Sequence, residues 1–397
     1  MSDQNTAVAA KMMEFMERAS WIRKMFEQGA ALKAKYGADR VCDFSLGNPD
    51  LVPPETFQDA LEKIASDRSP GAHAYMPNAG YPKVREEVAR HVERDHGVTP
   101  LTDGIIMTVG AAGGLNIIFK ALLNPGDEVI VPKPYFVEYG FYVDNHGGRL
   151  VAVDSNPDFS LNLDNIEAAI TPATRAVLLN SPNNPSGAVY SEQELKALAG
   201  LLSDAEDRVG HPIFLVSDEP YRRLVFDNMV VPPILKIFRN GIVTTSFSKD
   251  LSIPGERIGY VAVHPEADGG PALLGALTLA NRILGFVNAP ALMQKVVAES
   301  IDSVVDVSIY QRRRDRLAEI LKDAGLEFEM PKGAFYFFPR TPIEDDAKFA
   351  AILQEQLILT VPGRGFGCPG HIRIAFCVQD EVIERSAEGF RKAMASL

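Results

Sequence analysis

The sequence predicts an α/β protein, with a mostly parallel central sheet in a large domain and a smaller α+β domain beside it. Three observations carry this expectation. At 397 residues the chain exceeds what one simple core organises, so a division into two domains is expected. Through the middle of the chain, short apolar runs alternate with amphipathic stretches, the pattern of βαβ units. From about Pro290 the character changes to long charged helical segments followed by a last group of alternating strands. The expected large domain covers residues 56–290. Residues 1–55 and 291–397 make the small domain, which includes an N-terminal helical segment.

In chain order, the opening helix is expected from about Met12 to Tyr36. Met16, Ile22, Met25 and Phe26 are its apolar points, and Trp21 lies on its packing face. The passage "VCDFSLGNPDLVPP" then breaks into extended, proline-punctuated chain. Strands are expected at "GIIMTVG", "DEVIVPKPY", "RAVLLNSP", "PIFLVSDEPY" and "GIVTTSFSK". The helix after "TVGAAGG" carries Leu115, Ile118, Phe119, Leu122 and Leu123 on one face. Further on, "SIYQRRRDRLAEILKDAG" reads as a helix, and "GAFYFFPR" and "HIRIAFCV" read as alternating strands.

Composition narrows the function classes. Hydrophobic residues at 46% and charged residues at 23% are ordinary globular values and argue against disorder. A formal net charge of −12 argues against a general nucleic-acid binder, whose footprint is basic. Three cysteines, Cys42, Cys368 and Cys377, lack metal spacing and fit a reducing compartment. No apolar run reaches membrane-spanning length, and the first residues lack the order of a signal peptide, so the cytoplasm is the expected location.

The polar groups fall at the ends of the strands. In an open parallel sheet, ligands bind outside the carboxyl ends of the strands, and right-handed crossovers bring those ends to one edge. Here "IIMTV" ends at Gly110, "VIV" leads to Tyr135 and Phe136, and "AVLLN" leads to Asn184. "IFLV" delivers Asp218 and Tyr221, and "IVTTS" delivers Ser246 and Lys249. Taken singly, Asn184 serves as well as a turn residue, Asp218 as a helix cap and Tyr221 as a core aromatic. Five converging positions argue instead for one ligand. It needs a carbonyl for Lys249, a basic ring nitrogen for Asp218, and a phosphate for Ser246, Arg257 and backbone amides. Pyridoxal 5′-phosphate has all three, and its usual protein partners are a Schiff-base lysine and an acidic residue at the pyridinium.

On "SLGNPD", "AYMPNAGYPKVREEVA", "NSPNNPSGAVYS", "SDEPY", "SFSKDLSIPGERIGY" and "HIRIAF", the sequence resembles the class I/II aminotransferases, fold type I pyridoxal-phosphate enzymes, over nearly its whole length. The resemblance implies that Lys249 bonds the cofactor and, once displaced by substrate, moves the proton between Cα and the cofactor. It gives Asp218 the ring nitrogen, Tyr221 and Asn184 the 3-oxygen, and Phe136 the ring face. Gly110, Ala111 and Ala112 open a helix whose amides, with Ser246 and Arg257, receive the phosphate. The hydroxyl or lysine often found in that stretch of the family is absent here. Tyr75 stands where the family reaches the neighbouring subunit's phosphate site, which implies a homodimer with shared active sites. Arg373 is implied as a bidentate clamp on the substrate α-carboxylate, with Gly47 lying close to substrate. The alternative for Arg373 is an edge-strand charge facing water.

The expected activity moves an amino group from an L-amino acid to a 2-oxo acid in a ping-pong cycle. The alternative on the same fold is a carbon–sulfur β-lyase. A transcription regulator with a cofactor-sensing domain is a weaker fit, since little chain precedes the helix at Met12. No metal is expected. Gly365, Gly367 and Gly370 satisfy a dinucleotide pattern, but a strand follows them instead of a helix. "QRRRDR" reads as the wet face of a helix. In "LTLANRILGFVNAP", Arg282 is read as exposed and the apolar Ile283, Leu284 and Phe286 as nearer the pocket. The expected donors are therefore small or apolar amino acids more than aspartate, with pyruvate or 2-oxoglutarate as acceptor.

Overall fold

The computed structural model describes residues 7–397. Side chains 18–28 of the first helix, Trp21, Ile22, Met25 and Phe26 among them, lie outside the described residues. That helix spans Ala10–Tyr36. Met16, expected as one of its apolar points, stands exposed.

The strands are β1 (Cys42–Asp43), β2 (Ile105–Thr108), β3 (Glu128–Lys133), β4 (Arg149–Asp154), β5 (Thr174–Asn180) and β6 (Phe214–Asp218). After them come β7 (Gly241–Ser246), β8 (Gly259–Val263), β9 (Tyr336–Phe337), β10 (Ile358–Leu359), β11 (Val361–Pro362) and β12 (Ile372–Ala375). Two compact units form. The larger holds Asn48–Arg312 and Met330–Tyr336; the smaller holds the chain up to Gly47, Arg313–Glu329 and Phe337–Leu397. Against the expected span of 56–290, the larger unit continues to Arg312 and takes in a short later segment.

In the larger unit a seven-stranded sheet runs in the order β2-β8-β7-β6-β5-β3-β4. All neighbours from β7 to β4 are parallel, and β8 lies antiparallel to both β2 and β7. Because β8 reverses twice, β2 runs in the same sense as β7, so β2, β3, β5, β6 and β7 all end on one edge. These are the five strands expected from the sequence. The other two were not foreseen. β4 is an edge strand whose residues are mostly half or fully exposed, so it lacks the signal of a buried run. β8 follows the lysine segment with only a short turn between, and its buried "GYVAV" reads as the tail of that segment.

The interior strands are apolar on both faces because both faces are covered. Val177, Leu179, Leu215 and Val243 pack on one side with Leu195, Leu198 and Leu202. Ala176, Leu178, Val216 and Ile242 pack on the other with Ile117, Ile118 and Leu277. Alternation along β6 therefore carries Phe214, Val216 and Asp218 to the second side, and Leu215, Ser217 and Glu219 to the first.

In the smaller unit, β1 pairs in parallel with β10, and β11 pairs antiparallel with β12, setting Val361 opposite Arg373. The expected strand "HIRIAFCV" is shorter than read. Only Ile372–Ala375 is strand, and all four residues are buried. The alternation there separates no wet face, because Arg373 is buried too, so its alternative reading as an edge charge facing water is corrected.

Gly259, paired with Ser246, packs closely against the start of the helix Gly110–Leu122. A Cβ at Gly259 would lie 2.2 Å from the carbonyl oxygen of Thr245 and 3.1 Å from Cα of Gly110. Both are backbone atoms and cannot swing away. Gly259→Ala is expected to destabilise the protein by about 1–3 kcal/mol, read as a lower denaturant midpoint with unchanged slope. A midpoint equal to wild type would contradict this packing.

Candidate active site

Asp218 closes β6 and is buried. No helix begins after it, so the helix-cap alternative has nothing to cap. The Tyr139 hydroxyl donates to its Oδ2 at 2.6 Å, whereas Oδ1 is buried without a hydrogen-bond partner. Burial pushes the Asp218 carboxyl up to about 7. The Tyr139 bond pulls the other way, and the neighbouring Glu219 charge adds to the rise. Burial, with the Asp218 charge behind it, also holds the Tyr139 hydroxyl firmly protonated, as a donor should be. A buried acidic oxygen without a donor is costly unless a cation or N–H is supplied.

Around it the strand ends assemble as follows. Phe136 follows β3, half-buried, and meets the Tyr139 ring edge-on at 5.6 Å. Asn184 follows β5, buried, and its backbone N–H donates to Asn180 Oδ1 at 2.7 Å. The Tyr221 hydroxyl lies 2.8 Å from that of Tyr336. Lys249, just past β7 and half-buried, holds its Nζ 5.9 Å from the Tyr221 ring and 5.5 Å from that of Phe335. Such contacts with aromatic rings are mildly attractive to a cation.

Gly110 opens the helix Gly110–Leu122 at a φ of +68°, and Ala111 and Ala112 fill its first turn. The first N–H groups of a helix have no partner within it and draw anions. The Arg257 guanidinium lies at the same place: a Cβ at Gly110 would be 3.0 Å from its Nη2. Arg257 Nη1 donates to the Pro254 carbonyl, and the residue makes no ion pair among the described residues. Ser246 ends β7, paired with Gly259, whose own missing Cβ would crowd Gly110. Free helix amides, a hydroxyl and a guanidinium are thus gathered at one point, a donor set suited to a phosphate.

Lys249, Asp218, Tyr221, Phe136, Asn184, Gly110, Ala111, Ala112, Ser246 and Arg257 all belong to the larger unit. Tyr75 does as well, with its side chain 90% exposed. Gly47 and Arg373 belong to the smaller unit. There, Arg373 Nη2 donates to the Ser45 carbonyl at 2.6 Å, and its guanidinium stacks 4.9 Å from the Phe366 ring centroid. Tyr139, Tyr336 and Phe335 were not read from the sequence. For Tyr139 a signal was present: it stands three residues after Phe136, and i, i+3 positions share a side where the chain turns helical. Tyr336 and Phe335 are distant in sequence from Tyr221, and nothing local marks them.

Comparisons with known proteins identify the family. The family model described as aminotransferase class I and II matches residues 39–390. The chain is 34% identical over 380 residues to a probable aspartate/prephenate aminotransferase of Aquifex aeolicus, covering 92% of this chain and 93% of that one. It is 33% identical over 366 residues to the aspartate/prephenate aminotransferase of Thermus thermophilus, covering 91% and 92%. Among solved structures, an aminotransferase from Eubacterium rectale superposes with a TM-score of 0.95 at 39% identity, covering 99% of both chains.

The Asp218 environment makes a testable statement. Its folded value of about 7 stands above the ordinary 3.8. Between those values the ligand-free folded protein keeps a proton that the unfolded chain loses, so this group's contribution to stability falls as pH rises through the window. Asp218→Asn removes that dependence. Relative to the variant, ligand-free wild type is expected to lose stability from about pH 4 to pH 7, by a few kcal/mol at most at about 1.4 kcal/mol per unit. Unfolding free energies with parallel pH profiles would contradict it.

Proposed function

The chain belongs to the class I and II aminotransferases, enzymes of fold type I that move an amino group from an amino acid to a 2-oxo acid, and on that premise we propose that it works with pyridoxal 5′-phosphate held at the sheet edge ending in Asp218 and Ser246. The observation that carries this is the buried Asp218 oxygen with no donor, facing a need for a protonated ring nitrogen. Bound there, the cofactor supplies an electron-accepting ring for the charge left when a substrate Cα loses its proton.

The protein's own residues then divide the work. Lys249 would carry the covalent attachment and, once displaced by the substrate amine, take the Cα proton and return it on the other side of the transfer. Asp218 would hold a proton on the ring nitrogen by its charge, with Tyr139 keeping the carboxylate oriented. Tyr221 and Asn184 would donate to the ring oxygen, and Phe136 would cover one ring face and exclude water. Gly110, Ala111, Ala112, Ser246 and Arg257 would take the phosphate. Arg373 would clamp the substrate α-carboxylate, with Gly47 leaving room beside it. Because the first product leaves before the second substrate enters, the cycle is ping-pong. The relatives' names favour transamination over the carbon–sulfur lyase alternative.

We further propose a homodimer with shared active sites, since an aromatic side chain as exposed as Tyr75 suits burial against a second copy. The proposed location is the cytoplasm, in keeping with a sequence that carries only three cysteines, Cys42, Cys368 and Cys377. For the donor, the proposal is a small or apolar amino acid. Arg282 is exposed on the helix Gly270–Ile283 and has no ion pair among the described residues. It lines an apolar cleft of about 630 Å³ with Leu274 and Leu279.

A half-reaction screen tests the function: single amino acids are mixed with the holoenzyme and the conversion of the cofactor absorbance to its amine form is followed. Small and apolar donors are expected to convert faster than aspartate. If aspartate is fastest and Arg282→Ala selectively abolishes its use, the donor proposal is wrong; if no amino acid converts, the activity itself is. Tyr75→Phe is expected to release cofactor faster on dialysis while the protein sediments as a dimer. A fully active monomer would contradict the shared site.

A further inference from the structure

The segment after β6 carries a buried carboxylate, Glu219, and a half-buried guanidinium, Arg222, that the chemistry above does not use. We infer that Glu219, tied to Arg222, is the positioning residue for Asp218, fixing the end of β6 so that the Asp218 carboxylate meets the cofactor ring at one place. The inference rests on the reading of Asp218 given above.

Alternation sends the side chains of Asp218 and Glu219 to opposite faces of the sheet. Glu219 is 1% exposed, and each of its polar groups is engaged. Its backbone N–H donates to the Thr244 carbonyl at 2.9 Å, and its carbonyl accepts from the Thr245 hydroxyl at 2.9 Å, tying it to β7. The Ser217 hydroxyl donates to Oε1 at 2.7 Å and Arg222 Nη1 to Oε2 at 2.8 Å, while His96 Nε2 lies 3.4 Å from Oε2. Arg222 extends the linkage with bonds to the carbonyls of Asp95 at 2.6 Å, Val231 at 3.0 Å and Pro232 at 3.3 Å. Glu219, the residue that follows Asp218, is thus tied to strand β7 through its backbone, and through its carboxylate and Arg222 to the end of the helix Pro82–His96 and the 231–232 loop.

The five residues from 218 to 222 therefore serve two sides. Asp218 with Tyr139, and Tyr221 with Tyr336, form the site; Glu219 and Arg222 form the anchor behind it. Burial alone would raise the Glu219 carboxyl, but Arg222 and His96 hold it down to about 2. The anchor is then charged throughout the working pH range and does not loosen as pH changes. A buried ion pair adds little net stability over an apolar pair of similar shape. What it supplies is direction, because a forked guanidinium and a carboxylate each accept few geometries.

Three variants in the holoenzyme test this: Glu219→Gln, Asp218→Asn and, as a control, Asp346→Asn, which breaks the pair of a buried carboxylate with the exposed Arg364 in the smaller unit. Cofactor retention on dialysis, visible circular dichroism of the bound cofactor, kcat and KM are measured. Glu219→Gln is expected to lower kcat by roughly ten- to hundredfold, the cost of a misplaced group. KM should change little, the cofactor dichroism should alter and retention should weaken. Asp346→Asn should lose stability with dichroism and kcat unchanged. Wild-type kcat and dichroism in Glu219→Gln, with Asp218→Asn crippled, would overturn the positioning role alone. Wild-type behaviour in both would overturn the reading of Asp218 and this inference with it. If Glu219→Gln does not fold, Arg222→Lys carries the test, since it keeps the charge and loses the fork. A kcat loss at unchanged KM supports the inference, and wild-type values overturn it.

Discussion

A carboxylate taken out of water with one donor for two oxygens is the constraint around which this structure is arranged. Asp218 has Tyr139 on one oxygen and nothing on the other. In the ligand-free chain the cheapest remedy is a proton, which is why its carboxyl sits near 7. A cationic ring N–H offers a better remedy, so the same burial that weakens the empty protein favours the loaded one. The two neighbouring acids in "SDEPY" show how environment divides like groups: Asp218 is left short of donors, while Glu219 is given three and stays ionised.

The sheet makes that constraint useful. Its parallel strands deliver Phe136, Asn184, Asp218, Ser246 and Lys249 to one edge without any of them being adjacent in sequence. The reversed strand β8 brings Gly259 against Gly110, which lets the helix amides and the Arg257 guanidinium share one point. Two glycines thus set the distance between a hydroxyl-bearing strand end and a helix N-terminus. The site is a property of the scaffold more than of any loop.

How much of this the sequence disclosed follows from the range of the signals. The five site-bearing strands were legible because a strand buried on both faces is a continuous apolar run, and each stops at a polar residue. Strand β4 was not, since an edge strand with wet positions resembles a connection. "HIRIAFCV" promised a longer strand with two unlike faces, yet Ile372–Ala375 is covered on both. Local alternation cannot report what packs from elsewhere in the chain. The same limit hid Tyr336, whose hydroxyl meets that of Tyr221 across 115 positions. Tyr139 was within reach, three residues past Phe136, but an aromatic in an aromatic-rich run reads as core until its hydroxyl finds a partner.

The most direct test of the central claim, that this strand edge binds the cofactor through Lys249, is chemical. Holoenzyme is reduced with borohydride, digested, and the peptides are sequenced by mass spectrometry. The account predicts a pyridoxyl group on Lys249, in the peptide containing "SFSKDLSIPGER", at close to one per chain. A pyridoxyl group on another lysine, or full activity with no reducible link, would contradict it.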